Sequence, residues 1–132
     1  MSNPDISIII PCYNVAPYIE RAIKSALVQQ GVTLEVIVVD DCSSDGTPDI
    51  VAAITDKRVK LIQLKENSGP SGARNAAMKA ASGQWIATLD GDDSYEQGRL
   101  QRMTEIARSK NADMIVDNIL VVSEELGKNF PM

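Results

Sequence analysis

The chain has 132 residues, 44% of them hydrophobic, and a formal net charge of −5 with a pI near 4.6. That length is one domain's worth, spanning 1–132, and can bury a core, while the acidity argues against a nucleic-acid backbone as the main partner. With no histidine in the chain, the usual zinc sites, histidine acid–base pairs and Ser-His-Asp triads are excluded within it.

Met1-Ser2-Asn3-Pro4-Asp5 is polar and acidic, without a signal-peptide layout, and no stretch approaches the ~20 apolar residues that span a bilayer. The expected location is therefore cytoplasmic. Ile6 to Ile10 is a nearly continuous β-branched run closed by Pro11, which predicts a strand buried on both faces, as in a parallel sheet. Ile19, Ala22, Ile23, Ala26 and Leu27 recur at the spacing of one helical face, with Pro17 in the first turn and Gly31 beyond the end. Leu34 to Val39 predicts a second strand, ending in Asp40-Asp41. Thr47 as cap and Pro48 at the first helical position open a short helix through Ile54. Cys12 and Cys42 each follow an apolar run, which points to buried thiols rather than a disulfide scaffold.

Val59 to Leu64 predicts a third strand and Asn67 to Gly72 a loop rich in turn formers. Ala73, Ala76, Ala77 and Ala80 then form a small-residue helical face that ends at Gly83. Trp85 to Leu89 is a fourth strand, delivering Asp90, Asp92 and Asp93 to its C-terminal end. In an extended chain Asp90 and Asp92 share one side and Asp93 takes the other, with Gly91 allowing a turn or a close approach. Leu100, Met103 and Ala107 mark another helix, and Met114 to Val122 a last strand interrupted by Asp117-Asn118. This alternation predicts an α/β fold, a doubly wound, mostly parallel, Rossmann-like sheet, whose ligands bind beyond the carboxyl ends of the strands. Pro11 to Asn14, Asp40-Asp41 and Asp90 to Asp93 share that edge.

A carboxylate after the second strand suits a dinucleotide oxidoreductase, but Pro11-Cys12-Tyr13-Asn14-Val15-Ala16 stands where its glycine-rich turn belongs. No phosphate-loop Gly-Lys-Ser/Thr signature occurs either. Clustered carboxylates repel one another and favour a cation, so a metal–diphosphate site is the better expectation. Magnesium or manganese takes one or two carboxylates and completes its shell with substrate phosphates. Asp41 is then left to accept hydrogen bonds from a nucleoside, and Arg74 meets phosphate or pairs with a site aspartate.

Four stretches together resemble family 2 glycosyltransferases. They are Ile8-Ile9-Ile10-Pro11-Cys12-Tyr13-Asn14, Val38 to Thr47, Asn67-Ser68-Gly69 with Ala73-Arg74-Asn75, and Leu89 to Asp93 followed by Arg99-Leu100. The resemblance implies the GT-A fold and metal-assisted transfer of a sugar from a nucleoside diphosphate donor, usually UDP, to an acceptor hydroxyl with inversion. Carried over by match, Pro11 and Tyr13 line the nucleoside pocket, the Tyr13 ring lying against the base unless it is simple strand-end packing. Asp41 bonds the base, Asp40 orients the turn, and Asp45-Gly46-Thr47 does turn and cap chemistry. Arg74 is a donor-side residue or a structural partner for an aspartate. Asp90 and Asp92 hold Mn2+ or Mg2+ with the donor diphosphate, Asp92 as direct ligand and Asp93 as a weaker candidate.

The family's acceptor-side half supplies a carboxylate as general base, and no such base is visible before Met132. Glu124 and Glu125 fit a solvated surface better than that role. The chain is therefore expected to be the truncated, donor-binding part of a longer enzyme, with a non-catalytic nucleotide-sugar-binding module as the alternative. A nucleotidyltransferase would need a glycine-rich basic loop after the first strand, and Pro11 to Asn14 is not one. Implied partners are the nucleoside diphosphate sugar and a saccharide or glycolipid acceptor. The family also implies polysaccharide or glycoconjugate synthesis at the cytosolic face of the membrane, with peripheral membrane association of the full-length protein.

Overall fold

Two strands, β1 (Ile6–Cys12) and β2 (Leu34–Asp40), leave water neither face of the sheet they build. Every residue of β2 is buried, and along β1 only Pro11 is partly exposed. The computed structural model describes residues 2–118, 120–123 and 128–131. Between β1 and β2 runs α1 (Ile19–Leu27), after β2 come α2 (Thr47–Ala52) and β3 (Val59–Gln63), and α3 (Gly69–Ala80) leads into β4 (Trp85–Thr88). The four strands are parallel in the order β3-β2-β1-β4, with Ile8 opposite Val36 on one side and Ala87 on the other. This is the α/β sheet that the alternating apolar runs predict.

The pleat sends alternate β1 residues to two cores. Ile6, Ile8 and Ile10 pack with Ile19, Ala22, Ile23 and Ala26 of α1, and Val51 of α2, on one face. Ile9, Ile37 and Val39 meet Ala73 and Ala77 of α3 on the other. Ile8, Ile10, Ile19 and Ile23 are all fully shielded from solvent, and each such side chain contributes about 1.5–3 kcal/mol. The alanine face of α3 gives that helix its seat close to the sheet.

At the amino end of the sheet, Glu35 accepts hydrogen bonds from Ser7 Oγ (2.6 Å), Ser82 N (2.7 Å), Ser82 Oγ (2.9 Å) and Lys60 Nζ (2.7 Å). Gly83 donates its N–H to Ser7 Oγ, and a Cβ there would stand 2.4 Å from Ser7 N. Gly83 thus serves close approach to β1 rather than ending α3, whose last residue is Ala80.

Several local expectations need correction. Pro17 lies ahead of α1, in a turn where Tyr18 N and Ile19 N both donate to Val15 O. Thr47 does not cap α2, because Gly46 holds that position and the Thr47 side chain bonds to Asp45 and Val15 instead. Helix α3 starts at Gly69, four residues earlier than its alanine stripe, with Pro70 in the first turn where a missing N–H costs nothing. Cys42 is exposed rather than buried, and neither cysteine is in a disulfide.

The chain divides into compact units at residues 1–101 and 102–132. Helix α4 (Arg99–Lys110) matches the expected apolar spacing. The last strand expected at Met114 to Val122 is shorter and lies in another sheet. Residues 114–118 are not strand, and β5 (Leu120–Ser123) pairs antiparallel with β6 (Lys128–Pro131). An apolar run fixes a strand but not its partner. Glu124 and Glu125 lie outside the described residues.

Candidate functional site

In the order β3-β2-β1-β4 the chain reverses direction across the sheet between β1 and β4, and clefts form beyond the carboxyl ends at such a switch point. A cleft of about 360 Å³ opens there. Pro11, Tyr13, Asp41, Arg74, Asp90 and Asp92, the residues expected on the donor side, all line it, whereas Asp93 does not.

Each wall has its own cause. After β1 the chain turns at Asn14 in the left-handed region, φ 51°, which asparagine tolerates. Asn14 Oδ1 accepts from Ser44 N (2.9 Å) and Asp45 N (3.3 Å), and Asn14 N donates to Ser43 Oγ (3.0 Å). Asp45 accepts from Ala16 N (3.2 Å) and Thr47 N (2.9 Å). The Thr47 hydroxyl bond does most to hold the Asp45 carboxyl below the ordinary carboxylate range. The turns after β1 and β2 are thereby tied together, and Tyr13 is left half-exposed (51%) at the cleft. That tie was invisible in sequence because its partners are about 30 residues apart.

Asp40 is buried and accepts from Ser43 N and Ser43 Oγ, which orients the turn as expected. Asp41 has most of its carboxylate taken up within the fold. Its carboxylate accepts Ser68 N (2.7 Å), Ser68 Oγ (3.1 Å) and Gly69 N (2.9 Å), and its carbonyl accepts Asn67 Nδ2 (3.2 Å). It caps α3 from the far end of β2, satisfying N–H groups a helix start leaves unpaired. Only one acceptor position, on Oδ2, is not taken by these bonds. Cys12, buried beside Asp40, has its thiol pushed up to about 12 by burial first and then by Asp40 and Asp45, so it is no nucleophile at neutral pH.

Beyond β4 the acidic stretch is a turn, not an extension of the strand: Asp93 N donates to Asp90 O at 3.0 Å. Asp90 and Asp92 still line the cleft together, now by turn geometry rather than by strand alternation. Gly91 explains itself by close approach, since a Cβ there would lie 2.9 Å from Val15 Cγ2 and 3.0 Å from Cys12 Cβ. Arg21 of α1 donates to Asp92 O at 3.5 Å. Asp93 is pushed up by burial and by Asp92 and Asp90, against Arg21. Arg74 Nη2 stands 3.3 Å from Asp90 Oδ1.

Among the described residues no three ligating side chains converge. Two cleft carboxylates are still the donor set that magnesium or manganese uses when phosphates complete the shell, so the residues fit a metal held jointly with a ligand.

The family model described as Glycosyl transferase family 2 matches residues 7–132. The chain is 57% identical over 120 residues to the succinoglycan biosynthesis protein ExoO of Rhizobium meliloti (strain 1021), covering 91% of this chain and 34% of that one. Among solved structures, S. aureus TarS in complex with UDP-GlcNAc superposes with a TM-score of 0.76 at 35% identity, over 81% of this chain and 32% of that one. The mannosyltransferase PcManGT from Pyrobaculum calidifontis, in complex with GDP-Man and Mn2+, gives 0.68 at 32% identity, over 76% and 31%. The chain spans about a third of the length of each.

Proposed function

The chain belongs to glycosyl transferase family 2, and from that premise we propose that it forms the donor-binding part of an enzyme moving a sugar from a nucleoside diphosphate donor, a UDP-sugar, to an acceptor hydroxyl with inversion. The observation that carries this reading is the convergence of Pro11, Tyr13, Asp41, Arg74, Asp90 and Asp92 on one cleft at the switch point of the sheet. Tyr13 offers a ring for the base and Pro11 an apolar wall beside it. Asp41 spends most of its acceptors on α3, so its part in base recognition is the remaining position on Oδ2 and the loop it fixes. At the other end, Asp92 and Asp90 hold Mn2+ or Mg2+ with the diphosphate, Asp92 as the direct ligand. When bound, the cation supplies a Lewis acid for the charge growing on the departing diphosphate.

Support comes from relatives of the same fold: TarS binds UDP-GlcNAc and PcManGT binds GDP-Man with Mn2+. The cleft's own carboxylates are spoken for in this scheme, Asp41 by α3 and the other two by the cation. The base that deprotonates the acceptor is therefore assigned to the rest of the enzyme. We take the acceptor to be a saccharide or glycolipid in polysaccharide synthesis, as the naming of ExoO for succinoglycan suggests. Among the described residues no helix is long and apolar enough to cross a membrane, and we place the reaction in the cytoplasm, at the membrane face.

A calorimetric screen of UDP- and GDP-sugars, with and without Mn2+, tests the proposal. A UDP-sugar that binds more tightly with Mn2+ supports it; preference for a GDP-sugar overturns the choice of base. Binding of neither overturns the donor site.

A further inference from the structure

Arg74 and Asp90 face each other from different elements, the second turn of α3 and the turn after β4. Their ion pair, Nη2 to Oδ1 at 3.3 Å, is open to water, with the side chains 39% and 53% exposed. Both residues line the cleft with Asp92. The helix beneath Arg74 is fixed at its start by Asp41, through Ser68 N and Gly69 N, and along its length by buried Ala73 and Ala77. The guanidinium, on a long flexible stem, is the part left to move.

A guanidinium on Asp90 Oδ1 puts a positive charge beside the oxygen a divalent cation would need. Two cations on one exposed carboxylate repel, so each disfavours the other. A diphosphate, in contrast, offers the guanidinium a planar bidentate partner at least as good as a carboxylate.

Building on the proposed donor site, we propose that Arg74 exchanges partners: it neutralises Asp90 before a donor arrives and passes to the donor diphosphate when a divalent cation takes Asp90. Arg74 is thus a positioning residue that couples metal to nucleotide. It keeps the two cleft carboxylates from repelling each other unaided, weakens binding of the metal alone, and strengthens binding of metal and nucleotide together.

The test uses Mn2+ alone, followed by electron paramagnetic resonance of the unbound ion, on the wild type, Arg74→Gln, Arg74→Lys and the pair Arg74→Gln with Asp90→Asn. Arg74→Gln is expected to bind Mn2+ about two- to fivefold more tightly than wild type, the range an exposed ion pair supplies, yet to bind UDP in the presence of Mn2+ more weakly. Arg74→Lys keeps the charge, so its affinity for Mn2+ alone stays near wild type, and Asp90→Asn abolishes the gain. A structural role alone would not tighten Mn2+ binding, and circular dichroism confirms that each variant is folded. Unchanged, weaker or undetectable Mn2+ binding by Arg74→Gln overturns the exchange. If wild type still binds UDP in a Mn2+-dependent way, the exchange alone fails; if it does not, the donor site falls as well.

Discussion

The carboxylate of Asp41, at the end of β2, accepts the backbone N–H of Gly69 at 2.9 Å, across 28 residues of sequence. With Ser68 it makes one aspartate the clasp between the sheet edge and the helix carrying Arg74. The cleft's two walls are consequently linked: whatever disturbs Asp41 after β2 also frees the start of α3.

Asp41→Asn should therefore destabilise the fold. The amide must turn one donor toward backbone N–H groups that need an acceptor, in a position that is 3% exposed, which costs about 1–3 kcal/mol. Urea unfolding measures this directly. A variant with the wild-type midpoint would show that α3 starts at Gly69 without help from Asp41.

Gly91→Ala should be destabilising for a different reason, the overlap of its methyl with Val15 Cγ2 and Cys12 Cβ. Overpacking of this kind costs about 1–3 kcal/mol. Trimming the neighbour relieves it, so Val15→Ala combined with Gly91→Ala should unfold at a higher urea concentration than additivity predicts. Strict additivity would mean that the approach to Cys12 Cβ, and not the one to Val15, sets the cost.

Glu35 gives the fold an acid dependence. Burial, the largest influence, would raise its pKa, but Lys60, Ser7 and Ser82 together bring it from 4.5 down to about 2. The folded value lies below the unfolded one, so the stabilisation is complete above pH 4.5 and is lost as pH falls from there through about 2. The shift corresponds to about 2–3 kcal/mol after allowance for the exposed Lys60. Glu35→Gln should lower stability at pH 7 and flatten the decline between pH 4.5 and 2, as read from urea midpoints across that window. A decline as steep as wild type would place its origin elsewhere.

Most of the framework was legible because local signals agreed with the fold. The β-branched run Ile6–Ile10, the 3.6-residue spacing of Ile19, Ala22, Ile23 and Ala26, and the carboxylates ending two apolar runs each define an element and an edge. The cleft residues could be gathered on that edge without knowing strand order. Long-range hydrogen bonding was not legible. Nothing near Gly69 announces a helix start there, since its cap is Asp41, and nothing near Asn14 announces a tie to Ser44. A sequence shows the Asp41 carboxylate but not the N–H groups that claim most of its acceptor positions. Val121 and Val122 read as one more strand of the parallel sheet, while their partners in β6 make a separate antiparallel pair. The sequence predicts that Gly91 permits a turn or a close approach, and only the folded chain brings Val15 and Cys12 to it.

Asp92 carries the central claim. Its side chain is exposed and lines the cleft, so Asp92→Ala should keep the wild-type unfolding midpoint. Calorimetry of UDP binding with and without Mn2+ compares the two proteins. Loss of the Mn2+-dependent part of the affinity in Asp92→Ala is the predicted result; an unchanged Mn2+-dependent affinity would contradict the assignment of this turn to the metal and diphosphate.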